Sequence, residues 1–192
     1  MNKIVDSPAE ALHGVGNGAS ILIGGFGVLH GWPSSLILAL RDRGARDLTL
    51  ICNTPGFGPL SPQVLAENDQ VRRLVASFGG FPYRMTPMEE QIGEGRVELE
   101  LVPQGTLVER VRAGGAGLPG FYTPTGVGTE VERGKEVRAI DGRPYLFERA
   151  IGADYALIRA EAADPLGNLT YRGGARNFHP VFATAGRTTI AE

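Results

Sequence analysis

Apolar residues fall into short runs separated by polar, glycine-rich breaks. Ser20 to Ile23 predicts a short strand that runs straight into glycines. Leu48 to Ile51 predicts a second strand, buried on both faces as strands of a parallel sheet are. Between them, Pro33-Ser34-Ser35 opens a helix through Arg43. Leu36, Ile37 and Leu40 share one face of it, and Gly44 ends it. Ahead of both strands, Ser7 caps a short helix, with Pro8 at its first position and Glu10 completing a capping box. Ser61 to Asn68 reads as a helix and Val71 to Phe78 as a strand. Val97 to Leu101 alternates as a half-exposed strand does. Thr106-Leu107-Val108-Glu109 reads as a capping box for another helix, stopped by Gly114-Gly115. This alternation predicts a mainly parallel sheet flanked by helices.

From Pro119 to Gly134 glycines and prolines are dense. Glu136 to Ile140 and Tyr145 to Glu148 then flank Asp141-Gly142, a hairpin signal. Tyr155 to Ala160 predicts a buried strand, and the turn Pro165-Leu166-Gly167-Asn168 leads to Leu169-Thr170-Tyr171. The second half is therefore expected to add antiparallel pieces to the sheet. No repeat, low-complexity tract or linker divides the chain. The expected fold class is α/β, a single domain over residues 1–192.

Composition narrows the function. The chain has 192 residues, 42% of them hydrophobic, enough for a packed core. Its 19 basic and 21 acidic residues leave a net charge of −2, which argues against nucleic acid and acidic membranes as partners. One cysteine, Cys52, allows no disulfide within the chain, so a reducing, cytoplasmic location is expected. The first residues lack a signal-peptide pattern. No apolar stretch approaches the roughly 20 residues that span a bilayer.

Four places could carry chemistry. Gly24-Gly25-Phe26-Gly27 follows the first strand and precedes a helix, where ligands of open α/β sheets bind and where glycines let backbone N–H groups approach an anion. A tight turn without a ligand is the alternative. The spacing matches no dinucleotide fingerprint, and no Walker lysine follows. Asn53 lies just past a buried strand, where its amide binds substrate or caps the next turn. Gln104 lies between a strand and a helix, as a third group at the same edge or as an ordinary loop glutamine. His30, in the glycine loop, is either a substrate contact or an exposed loop residue. Cys52 at a strand end reads as a small buried apolar residue rather than a nucleophile. Arg72-Arg73 reads as a solvated strand edge. His13, His30 and His179 lack zinc-like spacing, so no metal site is expected.

Several blocks together resemble one family. Ile21-Leu22-Ile23-Gly24-Gly25-Phe26-Gly27 followed by Gly31-Trp32-Pro33 resembles the first signature of family I CoA-transferases. Val102-Pro103-Gln104-Gly105-Thr106-Leu107, Arg112-Ala113-Gly114-Gly115-Ala116-Gly117, Phe121 to Thr129, Gly167 to Tyr171 and Ala175 to Phe178 are similar to their A, or alpha, subunit. The resemblance runs in order over nearly the whole chain.

It implies a CoA-transferase/isomerase-like fold and an enzyme that moves CoA from succinyl-CoA or acetyl-CoA to a 3-oxoacid or short-chain carboxylic acid. Coenzyme A is then a substrate, with no tightly bound cofactor. In that family a glutamate of the B, or beta, subunit is the nucleophile, and this chain shows no counterpart. Glu94-Gly95 and Glu148 come nearest and read as surface carboxylates. The implied partner is a beta subunit carrying the glutamate, in a heterodimer or heterotetramer. Asn53 and Gln104 match alpha-subunit amides close to that glutamate and are the implied catalytic residues. Gly24, Gly25, Phe26, Gly27 and His30 are the implied substrate-binding residues. Three departures accompany the resemblance. The glycine loop is one residue longer, Thr54 replaces a second asparagine, and the chain stops at Glu192 where family members continue. A stand-alone isomerase and a non-catalytic CoA- or nucleotide-binding module are the competing readings.

Overall fold

The computed structural model describes residues 2–27, 31–80 and 84–192. Among these, the first two-thirds of the chain alternates strand and helix. The order is α1 (Pro8–Ala11), β1 (Ser20–Ile23), α2 (Ser34–Arg43), β2 (Leu48–Cys52), α3 (Gln63–Glu67), β3 (Val71–Ala76), α4 (Pro87–Gly93), β4 (Glu98–Leu101) and α5 (Gln104–Gly115). β5 (Gly120–Thr123), β6 (Val137–Ile140), β7 (Arg143–Arg149), β8 (Ala153–Ile158), β9 (Ala162–Ala163), β10 (Leu169–Thr170), α6 (His179–Ala183) and β11 (Gly186–Ala191) complete it.

Six strands form one sheet in the order β11-β8-β1-β2-β3-β4. Every pair in it is parallel. The chain moves outward from β1 to β4, then returns to the other side of β1 for β8 and β11. The strand order therefore reverses between β1 and β8, the kind of crevice where ligands of such sheets bind. Helices cover both faces. One core packs Leu36, Ile37 and Leu40 of α2 against Ile21, Ile23, Leu48 and Leu50. The other packs Leu107 and Val111 of α5 and Phe182 of α6 against Leu22, Ile51, Val75 and Ala156. Successive residues of β1, β2 and β3 thus alternate between two buried faces, which is why these strands read as continuous apolar runs.

The local signals explain most element ends. Ser7 accepts the Glu10 N–H at the start of α1. Glu10 itself reaches the Asp6 N–H rather than that of Ser7, so the box is only half formed. Gly44 closes α2 with φ 71°. α5 departs from expectation. It starts at Gln104 with Pro103 before it, and no Thr106–Glu109 box forms. Glu109 pairs instead with Arg112, one turn on. Gly114 and Gly115 are inside α5 rather than beyond it. A Cβ at Gly114 would collide with the Ile151 carbonyl, and one at Gly115 with Thr184. Packing, not helix termination, requires them.

The antiparallel strands do not extend the main sheet. β5-β7-β6 form a sheet of their own, and β9-β10 form another. The β6–β7 hairpin turns at Asp141-Gly142 as expected, with φ 49° and 73°. β8 and β11 join the main sheet in parallel instead. α4, β5, α6 and β11 carry no periodicity strong enough to announce them. β11, Gly186-Arg187-Thr188-Thr189-Ile190-Ala191, buries only Ile190 and is held by pairing with β8. No helix among the described residues is long and apolar enough to cross a membrane.

Candidate active site

The carboxyl ends of β1 to β4 open on one edge of the sheet. Asn53 directly follows β2, and Gln104 is the first residue of α5. Far apart in sequence, they meet here: Gln104 Nε2 donates to Asn53 Oδ1 at 2.6 Å. Asn53 is buried, and its backbone carbonyl accepts the N–H groups of Ser77 and Phe78 at 3.0 and 3.1 Å. These bonds fix it against the end of β3. Asn53 Nδ2 and Gln104 Oε1 have no partner among the described residues. Exchanging oxygen and nitrogen in both amides would still leave one NH₂ group unspent. The amino end of α5 adds its partial positive charge at the same place. The pair therefore offers N–H donors where a negative oxygen can be met.

The glycine loop behaves differently from a bare anion cradle. Gly24 N–H donates to Leu157 O at 2.9 Å, and Gly25 N–H to Asn177 Oδ1 at 3.2 Å. A Cβ at Gly24 would strike the His179 ring. One at Gly25, where φ is 135°, would strike the Trp32 indole. The N–H groups of Ser35 and Leu36, in the first turn of α2, donate to the Glu192 carboxylate at 2.8 and 3.1 Å. These four N–H groups, of Gly24, Gly25, Ser35 and Leu36, are thus satisfied within the chain. Of the described loop residues, Gly27 is half-buried and Phe26 is 43% exposed. Phe26 leans on Phe178 at 5.9 Å between centroids, and Phe178 stacks on Phe182. His30 lies outside the described residues.

A cavity of about 860 Å³ brings Phe26 and Gln104 together with Phe121, Asn177 and Phe178. Its wall is mostly apolar with a few amide and hydroxyl groups, the composition expected of a small-molecule site. Asn53 sits behind Gln104 rather than on that wall. The acidic side chain on the wall is Glu109, and it is tied to Arg112. A second hollow, of about 440 Å³ beside Ser20 and Asp154, lies at the amino edge of the sheet, away from these groups.

Other titratable groups serve the scaffold. His179 is fully buried under the glycine loop. Its Nδ1 accepts the Arg159 N–H at 3.1 Å, and its Nε2 donates to Gly31 O at 2.8 Å. Burial lowers its pKa to about 4; the Gly31 bond opposes this in part, and the charge of Arg159 adds a smaller lowering. The ring is therefore neutral near pH 7. Cys52 is fully buried, and burial pushes its thiol well above the usual range, which removes it as a nucleophile. Arg73 pairs with Glu98 and Glu100 instead of standing free as a solvated edge. Glu94 is exposed and pairs with Arg96. Glu148 is not the surface carboxylate its sequence context implies. It is 2% exposed and held by Lys135 at 2.5 Å and Arg110 at 3.9 Å. Thr54, in the place of a second asparagine, is buried and accepts the Gly56 N–H through its hydroxyl. His179 and Asn177 carry no local signal of their role. Only the fold brings them under the glycine loop.

The coenzyme A transferase family model matches residues 5–192. The chain belongs to this family. Its sequence is 47% identical over 192 residues to the A subunit of a probable succinyl-CoA:3-ketoacid coenzyme A transferase of Bacillus subtilis, spanning all of this chain and 79% of that one. It is 46% identical to the A subunit of the 3-oxoadipate CoA-transferase of Pseudomonas putida, spanning all of this chain and 82% of that one. Among solved structures, a variant of the decarboxylase AibA/AibB superposes with a TM-score of 0.81 at 30% identity, covering all of this chain and 74% of that one. An acyl-CoA transferase from Escherichia coli O157:H7, in a thioester complex with CoA, gives a TM-score of 0.83 at 23% identity, covering all of this chain and 43% of that one, which shows the shared fold. This CoA-transferase chain thus has the fold class expected of it, a mainly parallel sheet with helices on both faces and antiparallel additions.

Proposed function

We propose that this chain is the alpha subunit of a two-subunit CoA-transferase that moves CoA from succinyl-CoA or acetyl-CoA to a 3-oxoacid or short-chain acid in the cytoplasm. CoA enters as substrate, and no cofactor stays bound. The observation that carries this reading is the 2.6 Å contact of Asn53 with Gln104, which puts two amides at the sheet edge beside the Phe26 cavity.

The chemistry divides between two chains. A carboxylate of the partner attacks the thioester carbonyl, giving a mixed anhydride and CoA thiolate. The thiolate attacks the partner's carboxyl carbon, releasing the acyl carboxylate and leaving an enzyme–CoA thioester. The acceptor acid then runs the two steps in reverse. Each addition places negative charge on an oxygen. The free N–H of the Asn53–Gln104 pair stabilises it, Phe26 and Gly27 line the acyl path, and His30 belongs to the same loop. Among the described residues no unpaired carboxylate faces this pair, which supports a nucleophile from the partner.

The exposed apolar side chains support the same partner. Leu60, Phe78 and Leu101 follow or end β2, β3 and β4, and each is more than half exposed. Phe78 and Leu101 lie at the carboxyl ends of β3 and β4, the edge that also carries the amide pair, where a second chain would cover them. The assembly is a heterodimer or a pair of heterodimers.

Purifying the chain alone and together with its partner, then assaying CoA exchange and CO₂ release, tests the proposal. Exchange by the pair only, without CO₂, is expected. Full exchange by the single chain would overturn the shared site and make Glu109 the first nucleophile to examine. Release of CO₂ without exchange would favour a decarboxylase like the AibA/AibB relative.

A further inference from the structure

One polar group beside the amide pair has no partner. Ser77 directly follows β3, and its Oγ is buried without a hydrogen bond. A buried, unpaired hydroxyl is unfavourable, so it calls for a reason. Its position gives one. Cys52 faces Ala76 across β2 and β3, so Asn53 and Ser77 are the next residues in register. The Ser77 N–H donates to the Asn53 carbonyl, which extends that pairing by one residue. Ile51 and Val75 point into the α5–α6 core while Cys52 and Ala76 point away from it. By alternation, Asn53 and Ser77 share the α5 face. Their strands are about 4.8 Å apart. β3 lies between β2 and β4, from which α5 continues. Gln104 therefore reaches Asn53 across the end of the strand that carries Ser77.

Gln104 Nε2 carries two N–H groups, but the one held by Asn53 Oδ1 fixes the plane of the amide and so the direction of the other, free one. When its amide turns outward, Asn53 Oδ1 loses its donor in a buried setting. We propose that Ser77 is a positioning residue for Gln104: its hydroxyl replaces the Gln104 amide on Asn53 Oδ1 as that amide turns to the developing oxyanion. A donor left unspent in the resting state is spent in the reacting one. This favours the reacting state selectively, which is how a group that touches no substrate raises turnover. The inference rests on Gln104 serving CoA transfer as proposed above.

The test uses the assembled two-subunit enzyme with Ser77→Ala, Ser77→Thr, Gln104→Ala and Ser77→Ala/Gln104→Ala. Ser77→Ala is expected to lower kcat about 10- to 100-fold, the worth of one buried hydrogen bond, with KM for the acyl-CoA unchanged. Ser77→Thr, which keeps the hydroxyl, restores most of the rate. The thermal midpoint of Ser77→Ala stays at or above that of the parent, because an unpaired hydroxyl has been removed. In the Gln104→Ala background, adding Ser77→Ala costs nothing further. A Ser77→Ala enzyme within about twofold of the parent overturns the proposal, since one hydrogen bond is worth more than that. So does a loss of kcat that repeats in full without Gln104, or that comes with a lowered midpoint and no rescue by threonine. A parent complex without any exchange activity removes the functional reading first, and this proposal falls with it.

Discussion

Gly24 and Gly25 show how single positions hold the edge of the sheet. Each lacks room for a methyl group, one against His179 and the other against Trp32. Gly24→Ala therefore overpacks a finished core and is expected to cost about 1–3 kcal/mol in urea denaturation, whether or not substrate is ever bound. His179 beneath it makes stability depend on pH. Its pKa is about 4 in the folded chain against 6.5 for an ordinary ring. Above pH 6.5 neither state is protonated, and the full stability is present. Between pH 6.5 and 4 only the unfolded chain gains the proton, so stability falls, by about 3 kcal/mol in all. Below about pH 4 the folded ring protonates as well, and the loss levels off. Asp154, held below its ordinary pKa by Ser20, adds its own loss only as pH falls through the carboxylate range. The slope above about pH 5 is therefore assigned to His179, and His179→Gln should abolish it in denaturation curves at about pH 5, 6 and 7. At the site itself, Gln104→Ala in the assembled enzyme should lower kcat about 10²- to 10³-fold while leaving assembly intact, as loss of an oxyanion donor does. Unchanged turnover would exclude Gln104.

Between elements, ion pairs attach the separate three-stranded sheet to the main one. Glu148 of β7 meets Lys135 and Arg110, and Arg110 continues to Glu100 of β4 at 2.7 Å. Glu100 in turn meets Arg73 of β3 at 2.6 Å. Burial alone would raise the Glu100 pKa, but Arg110 and Arg73 outweigh it and hold the group below its ordinary value. The chain of charges thus spans β3, β4, α5 and β7. Removing Glu148 leaves Lys135, which is partly exposed, without its partner, while Arg110 keeps Glu100. Glu148→Ala should therefore destabilise the protein by about 1–3 kcal/mol, the cost of a broken charge-assisted bond rather than of a fully buried lone charge. Hydrogen exchange should show the loss first in β5, β6 and β7, with β1 and β2 protected longest. Uniform loss across both sheets would mean that they unfold as one unit.

For the molecule as a whole, the carboxyl edge of the parallel sheet is where the proposed site and the proposed partner surface coincide. The amide pair, the Phe26 cavity and the exposed Phe78 and Leu101 all lie there, because β1 to β4 all end on the same side. Phe78→Glu and Leu101→Glu are each expected to weaken binding of the partner by about tenfold or more, measured by titration calorimetry. The isolated chain should keep its fold in both cases. Association equal to that of the parent would place the partner on another surface.

The sequence by itself determined the strand–helix alternation, the hairpin at Asp141-Gly142 and the edge on which Asn53 and Gln104 lie. These follow from local periodicity and turn chemistry, which act within a few residues. The likeness of its blocks to CoA-transferases was legible for the same reason, since those blocks are contiguous. Only the tertiary structure decided that Asn53 and Gln104 touch, that His179 and Trp32 claim the space beside Gly24 and Gly25, and that Glu148 is buried. It also decided that the antiparallel strands stand apart while β8 and β11 join the main sheet. Each of these depends on which distant segments share a face, and strand order is settled by packing rather than by any local run of residues.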